Sequence, residues 1–161
     1  MHFQSQTIVS ALRATSNFAL KLKYKIDEGN SGFFFRAEQI PNDNTGIRGI
    51  QVEVDRLPDC GGLYESGGRG WIEKPDFQHS NNDEWNEMML FTNGAMVTAW
   101  INGTITANVN TFPGLDKQAT EGFLSNFAFQ LHKRQAVTVH FKDVEIIVPS
   151  VKRADGTIKN M

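Results

Sequence analysis

The sequence has little cysteine, little proline and almost no excess charge of either sign. Its 161 residues include one cysteine, Cys60, so no internal disulfide can form and a hydrophobic core has to stabilise the fold. The 16 basic and 18 acidic residues leave a net charge of −2, which gives no electrostatic reason to expect nucleic acid or an anionic membrane as a partner. No run approaches the roughly 20 apolar residues of a membrane-spanning helix.

The amino terminus also lacks the pattern of a secretory signal. Residues 1–4, Met-His-Phe-Gln, carry none of the apolar segment that a signal peptide needs. The residues alone therefore indicate either a cytoplasmic protein or a chain from which a leader has been trimmed.

No segment carries a convincing amphipathic helical stripe, and the dominant hydrophobic period is two. The alternation is clearest at residues 50–55, where apolar and polar side chains would face opposite sides of a strand: Ile50, Val52 and Val54 against Gln51, Glu53 and Asp55. Asn93-Gly94 and Asn102-Gly103 are two-residue hairpin signals. The pattern predicts an all-β domain of eight or more short strands in two packed antiparallel sheets.

The connections follow from the positions of glycine and proline. Residues 56–83 hold two prolines and five glycines with little periodicity, so we expect a long loop there, and long ordered loops tend to be functional. Residues 40–48 and 110–121 are also predicted to be loops. We expect one domain over residues 1–148, followed by a solvated tail at 149–161.

The strongest candidates for chemistry are Gln51, Glu53 and Asp55. Since the opposite face of their strand must be core, this polar face is open to water or to a ligand. The two carboxylates would lie roughly 7 Å apart along the strand, within the range of paired-carboxylate glycosidases. An ordinary solvent-facing strand is the alternative, although like charges this close disfavour it.

Two basic side chains could serve the same face. Gln130 and His132 are predicted to share a strand face, and histidine is the commonest general base. Arg36 lies opposite its apolar neighbours on an earlier strand, where it could pair with Glu53 or Asp55. It would then either orient the site as a salt bridge or clamp a sugar oxygen or an enolate. A structural histidine is the alternative for His132.

The glycine-rich segment 61–70 suits a loop that approaches a ligand closely. Three further candidates lie in or beside it: Tyr64, Arg69 and Trp71. Aromatic rings stack on the apolar face of a pyranose, so they fit a sugar site, while pinning of the loop to the sandwich is the equally weighted alternative. Trp85 is expected in the core, and Asn86 on the opposite face could hydrogen-bond substrate hydroxyls.

No metal-binding motif stands out, because the chain has no HxH, HExxH or cysteine pair. Glu53, Asp55 and His132 could jointly hold a cation if the fold brought them together. The oxygen-rich segments 42–44 and 81–84 could bind calcium. A divalent cation such as calcium is thus an open alternative to a metal-free site.

Six pieces of the chain, in order and spacing, resemble the 3-keto-disaccharide hydrolase family over about Phe18 to Ile147. They are NSGFFFR at 30–36, GIQVEVD at 49–55, GGLYESGGRGW at 61–71, EWN at 84–86, WING at 100–103 and QLH at 130–132. The resemblance implies a jelly-roll sandwich like that of concanavalin lectins and laminarinase-like glucanases, with ligands bound across a concave sheet. Laminarinase-like enzymes carry a similar E-x-D-x-E strand, in which Gln51 here takes the first position.

The resemblance also implies a reaction that starts from an oxidised sugar. A ketone at C3 acidifies the C2 proton, a base removes it, the group at C1 leaves by β-elimination, and water adds back. The residues that would act are His132 as base, Arg36 or a bound cation as enolate stabiliser, and Glu53 or Asp55 as acid. The side chains that would hold hydroxyls are Gln51, Tyr64, Asn86 and Gln130.

Two other functions stay open at this point. A non-catalytic, lectin-like carbohydrate-binding domain would need the aromatic rings and the amides but neither His132 nor the carboxylates. A conventional glycosidase would use the Glu53–Asp55 pair on unoxidised glycans. In every case the expected partner is a glycan or a keto sugar, and the family resemblance implies a periplasmic or secreted protein.

Overall fold

The computed structural model describes residues 17–40, 46–111, 126–132, 136–152 and 158–160. Within these ranges it contains strands and no helix. The strands are β1 Phe18–Glu28, β2 Ser31–Gln39, β3 Ile47–Val54, β4 Leu63–Ser66, β5 Gly70–Glu73, β6 Asn86–Asn93, β7 Met96–Ile101, β8 Thr104–Asn110, β9 Asn126–Phe129, β10 Thr138–Ile147, β11 Ser150–Lys152 and β12 Ile158–Asn160.

Ten of these strands form two five-stranded antiparallel sheets. The first sheet has the order β10-β1-β6-β7-β8, and the second has the order β5-β4-β3-β2-β9. The predicted sandwich of two antiparallel sheets is confirmed, including the hairpin turns at Asn93-Gly94 and Asn102-Gly103.

The core lies between the sheets and follows the period-two pattern of the sequence. Strand β1 alternates buried and less buried side chains, and on β3 the side chains of Ile50, Val52 and Val54 are fully buried. Phe127 links the two sheets, because its ring lies 4.7 Å from that of Phe18 and 5.5 Å from that of Phe33 between centroids. Each buried side chain of this kind contributes roughly 1.5–3 kcal/mol.

The structure corrects the expected loop at 56–83, because β4 and β5 form a hairpin inside it. Both strands have four residues, too few for a clear alternation, and the Gly67–Gly70 turn between them masks the pattern. Positive φ angles of 72° at Gly67 and 79° at Gly70 show why glycine is needed there. In the predicted tail, β11 pairs with β12. The boundary between domain and tail at residue 148 stays a prediction.

A β-bulge in β2 decides where Arg36 lies. The register with β3 shifts between Phe35 and Glu38, so two residues of β2, Arg36 and Ala37, lie opposite Gly49. Arg36 has a φ of 48°, in the left-handed region. A Cβ on Gly49 would lie 2.8 Å from the Ala37 Cα, so glycine is what lets the bulged backbone approach. The simple alternation that predicted Arg36 near Glu53 or Asp55 therefore ends at the bulge.

Candidate functional site

The centre of the second sheet carries a carboxyl group between two glycines. Glu53 on β3 has Gly32 of β2 as its Cα partner on one side. On its other side the Glu53 backbone donates to the Gly62 carbonyl at 2.9 Å. Neither glycine has a side chain, so other groups lie close on both sides of Glu53: a Cβ would be 3.0 Å from Gln51 Oε1 at Gly32 and 2.9 Å from the Trp71 ring at Gly62. Gln130 lies on the far side of Gly32 from Glu53, because its backbone N–H donates to the Gly32 carbonyl at 2.9 Å.

Four side chains form a hydrogen-bonded chain around this carboxyl. Gln51 Nε2 donates to Glu53 Oε2 at 2.6 Å, and Asn30 Nδ2 donates to Glu53 Oε1. The Asn30 amide also contacts the imidazole, since its Oδ1 lies 2.9 Å from His132 Nε2. The structure thus brings together three residues that the sequence predicted, and Asn30 connects them.

Burial shifts the pKa values of the two titratable residues in this chain, Glu53 and His132. Glu53 is 4% exposed, and burial raises its pKa from 4.5 to about 7, although the hydrogen bonds from Asn30 and Gln51 oppose the rise. Burial also lowers the pKa of the half-buried His132 from its ordinary value of 6.5. Near neutral pH the site therefore holds a neutral imidazole and a carboxyl that readily changes its protonation state.

Two buried amide oxygens face this site without a partner in the described part of the chain. They are Gln51 Oε1 and Gln130 Oε1, on side chains that are 4% and 5% exposed. A buried acceptor without a donor costs about 1–3 kcal/mol, which a bound hydroxyl group would relieve. Both residues were predicted to hold hydroxyls, and this observation supports that prediction.

Aromatic side chains form one wall of the site. Tyr64 is the Cα partner of both Gln51 and Trp71, so all three lie on one face. The two rings meet edge to face with centroids 5.4 Å apart, and a Cβ on Gly62 would lie 2.9 Å from the Trp71 ring. Trp71 is 36% exposed and carries the Lys74 ammonium 4.1 Å from its ring centroid. The predicted aromatic surface therefore lies against Gly62, the backbone partner of Glu53.

Asp55 lies at the end of β3 and belongs to the following turn. Its Oδ1 accepts the Leu57 backbone N–H at 2.9 Å, an interaction that orders the turn. Burial raises the pKa of Asp55, and the neighbouring Asp59 carboxylate raises it further. Asp59 in turn pairs with Lys74 at 3.1 Å. Asp59 was not predicted, because nothing in its sequence context separates it from ordinary turn residues.

Arg36 does not pair with Glu53 or Asp55, and that expectation is corrected. It lies four residues along β2 from Gly32, the Cα partner of Glu53, or roughly 13 Å at 3.3 Å per residue. Its guanidinium donates to the Gly94 carbonyl and to Thr111 Oγ1, the latter at 3.5 Å. The bulge turns Arg36 toward the β6–β7 hairpin, so an enolate at Glu53 would be out of its reach.

Arg69 is held in the same region as Arg36. Its Nε donates to the carboxylate of Glu65, which is 1% exposed, and its Nη1 donates to the Thr111 carbonyl at 2.7 Å. We name Arg36, Glu65, Arg69 and Thr111 the arginine cluster. In it Arg69 joins the β4–β5 hairpin to the residue that follows β8.

Asn86 and Trp85 also differ from expectation. The Asn86 side chain is 1% exposed, and both of its polar atoms form hydrogen bonds within the protein. Its Oδ1 accepts from the Asn81 backbone at 2.7 Å and from Asn102 Nδ2 at 2.8 Å, while its Nδ2 donates to the carbonyls of Asn81 and Glu84. It therefore orders loops and has no capacity left for substrate. Trp85 is 42% exposed beneath the Lys142 ammonium instead of lying in the core.

The described residues contain no group of three or more histidine, cysteine or acidic side chains that could hold a metal ion. Glu53 and His132 are bridged by Asn30, and Asp55 is directed to the Leu57 N–H, so the predicted trio does not converge. In segment 81–84, Asp83 pairs with Arg56, while segment 42–44 lies outside the described residues. The described part of the chain also has no helix long and apolar enough to cross a membrane.

Solved structures with a similar fold come from carbohydrate-active proteins. A candidate glycosyl hydrolase from Parabacteroides distasonis is 22% identical, with 85% of this chain and 74% of that chain covered and a TM-score of 0.59. The carbohydrate-binding module CBM66 from Bacillus subtilis is 12% identical (coverage 91% and 96%, TM-score 0.58). Domain 4 of an extracellular arabinanase from Geobacillus stearothermophilus, solved with arabinotriose, is 15% identical (coverage 89% and 65%, TM-score 0.54). At these identities the likeness shows the fold alone, a jelly-roll sandwich.

Sequence comparison identifies the family. No curated protein sequence matches the chain significantly. The family model of the 3-keto-alpha-glucoside-1,2-lyase-like domain matches residues 3–147, which is most of the chain. The resemblance predicted from the six sequence pieces is thereby confirmed, and the chain belongs to the 3-keto-alpha-glucoside-1,2-lyase-like domain family.

Proposed function

We propose that this carbohydrate-active domain cleaves 3-keto-glycosides by β-elimination followed by hydration, with the reacting carbons bound over Glu53. The observation that carries the proposal is the buried carboxyl of Glu53 and the imidazole of His132, which the Asn30 amide bridges. This reaction needs a base and an acid close together.

In the elimination step, His132 removes the proton from C2, and the electron pair of that bond passes into the enolate of the C3 ketone. The enolate then collapses, forms a C1–C2 double bond and breaks the bond from C1 to the leaving oxygen. Protonated Glu53 gives its proton to that oxygen. Both groups have then changed protonation state, His132 to imidazolium and Glu53 to carboxylate.

The hydration step restores both groups. The Glu53 carboxylate takes a proton from water as its oxygen adds to C1, and the imidazolium of His132 returns a proton to C2. The amide oxygens of Gln51 and Gln130 would accept hydroxyl protons of the ring, while Tyr64 and Trp71 border its apolar face. Arg36 has no role in these steps, because its guanidinium belongs to the arginine cluster.

Release of free sugar from a 3-keto disaccharide and from its unoxidised parent tests the proposal, with and without a chelator. We expect cleavage of the keto form alone. His132→Ala should lower kcat by about 10²–10⁴-fold, the usual contribution of a general base. The matched control is His140→Ala, since His140 is exposed and pairs with Asp27 on the first sheet. Full activity of His132→Ala would refute the assignment of the base.

The two alternatives have distinct outcomes in the same assay. A carbohydrate-binding domain would cleave neither sugar, and its affinity would depend on Gln51, Gln130 and Trp71 but not on His132. A conventional glycosidase would cleave the parent disaccharide. The geometry disfavours that enzyme, because Asp55 is directed to the Leu57 N–H and so is poorly placed to act as the second carboxylate.

A further inference from the structure

Asn30 occupies a place in the site that the proposed mechanism does not yet explain. It directly precedes β2 and follows Gly29, whose φ is 84°. The adjacent Ser31 is fully buried and donates its hydroxyl to the Gln130 carbonyl at 2.8 Å. Because Gln130 also donates its N–H to Gly32, the segment that carries Asn30 is tied to the segment that carries His132. The position of the amide relative to the imidazole is therefore fixed by the backbone.

The two ends of the Asn30 amide are chemically different, and Glu53 determines which end faces it. While Glu53 is ionised it only accepts hydrogen bonds, so it selects the Nδ2 donor of Asn30, and Oε1 continues to accept from that donor when the proton used in the elimination step is on Oε2. Gln51 Nε2 already donates to the other carboxylate oxygen at 2.6 Å. The Asn30 carbonyl oxygen must then point to His132, and it lies 2.9 Å from Nε2.

A carbonyl oxygen cannot donate, so the hydrogen of this contact has to come from His132. A neutral imidazole has one protonated and one unprotonated nitrogen. With the proton on Nε2, the lone pair is on Nδ1. The orientation of one amide group thus determines which imidazole nitrogen can act as a base.

We propose that Asn30 is a positioning residue that holds His132 in the Nε2-protonated tautomer and so makes Nδ1 the nitrogen that removes the C2 proton. The use of Nδ1 in catalysis rests on the proposed function, whereas the tautomer does not. Asn30 also joins the base to the acid, because the Glu53 carboxylate orients the amide that orients His132.

Nuclear magnetic resonance of the substrate-free protein, labelled with ¹⁵N at histidine, tests the tautomer directly. The spectrum is recorded above the pKa of His132, and the signals that vanish in His132→Ala assign the residue among the four histidines. We expect long-range ¹H–¹⁵N couplings that place the proton on Nε2, and an Nε2–H resonance protected from exchange with water. A wild-type proton on Nδ1 would overturn the proposal.

Two Asn30 variants separate tautomer control from a general loss of structure. Asn30→Leu keeps the branched shape of the side chain but removes both the acceptor and the donor, so the protected Nε2–H resonance should disappear. Asn30→Asp keeps an oxygen toward Nε2 and loses the donor toward Glu53, so the resonance should persist. An unchanged resonance in Asn30→Leu, or its loss in a folded Asn30→Asp, would contradict the role of Asn30.

Kinetics with the 3-keto disaccharide then test the catalytic consequence. Asn30→Leu should lower kcat by roughly 10–100-fold with little change in KM, the size of effect found when a partner that orients a histidine is removed. Wild-type kcat in Asn30→Leu, with its resonance lost, would overturn Nδ1 as the base. If the wild-type protein cleaves no keto sugar, the proposed function fails, and the tautomer is still decided by the spectra.

Discussion

The molecule has two polar clusters of similar size, and they use their hydrogen-bonding capacity differently. In the arginine cluster, the Arg36 and Arg69 guanidinium groups meet a carboxylate, a hydroxyl and two backbone carbonyls. Around Glu53, two amide oxygens have no partner among the described residues. The first group joins strands across the end of the sandwich, whereas the second leaves two buried acceptors that the proposed substrate would use.

This difference explains why a buried charged residue is a poor guide to function by itself. Arg36 and Glu53 are 2% and 4% exposed, and both lie on central strands of the second sheet. What separates them is their surroundings: the Arg36 guanidinium donates to fixed partners, whereas burial raises the pKa of Glu53 and two amide oxygens near it have no partner among the described residues. A buried polar group with unused capacity is the better indicator of a binding site.

The largest contrast is expected from removing one carboxylate of each group. Glu53→Gln should lower kcat on a 3-keto disaccharide by about 10²–10⁴-fold and leave the fold intact. Glu65→Gln should leave the chemistry in place but destabilise the protein by about 1–3 kcal/mol, because it weakens a charged hydrogen bond to Arg69. Kinetics and urea unfolding of both variants provide the check. Equal loss of activity in the two would remove the distinction between the groups.

The pH dependence of stability sharpens the same contrast. Between pH 4.5 and 7 folded Glu53 binds a proton that the unfolded chain has released. The contribution of this bound proton to the free energy of unfolding is therefore complete below about pH 4.5. It is lost as the pH rises through about 7, and the loss is about 3 kcal/mol for a shift of this size. Urea unfolding at pH 5 and pH 8 should show a smaller decrease in Glu53→Gln than in the wild-type protein. An identical decrease in both proteins would argue against the raised pKa.

Much of this arrangement could be predicted from the sequence, because it follows from alternation. The period of two placed Gln51 and Glu53 on one face and Ile50 and Val52 in the core, as the structure has them. The turn signals gave the β6–β7–β8 connections. Alternation is a local property of the backbone, so it needs no knowledge of neighbouring strands.

The remaining features depend on contacts between distant segments. The bulge at Arg36 requires the close approach of Gly49, thirteen positions away along the chain, and nothing local marks it. Asn30 follows Asp27, Glu28 and Gly29, and this composition is typical of turns. Its place as the first residue of the NSGFFFR piece was the one available signal. That its amide bridges Glu53 and His132 follows only from the pairing of β2 with β3 and β9.

Smaller effects on stability and sugar affinity are expected from replacing the Gln130 amide, whose oxygen has no partner among the described residues, and the hydrogen-bonded Thr111 hydroxyl. Gln130→Leu replaces a buried unpartnered oxygen with an apolar group, so stability should be unchanged or slightly higher while sugar affinity falls. Thr111→Val removes a hydroxyl that donates to the Ala95 carbonyl at 2.8 Å and should lower stability by about 1–3 kcal/mol. Calorimetric titration and thermal unfolding give both quantities. Unchanged sugar affinity in Gln130→Leu would exclude this amide from the site.

The smallest expected effect comes from adding a methyl group at Gly32, next to the Gln51 side chain that donates to Glu53. A Cβ at Gly32 would lie 3.0 Å from Gln51 Oε1 and 3.1 Å from the Val52 carbonyl, so Gly32→Ala would displace the Gln51 side chain by a few tenths of an ångström. Because Gln51 also donates to Glu53, we expect a several-fold rise in KM with only a modest loss of stability. The comparison is Gly46→Ala, where a Cβ would meet no other atom within 4 Å and the cost is the positive φ of 70° alone. A loss of stability in both variants with KM raised in Gly32→Ala alone would place the sugar over Gly32, whereas the same KM in both would mean that the substrate does not bind there.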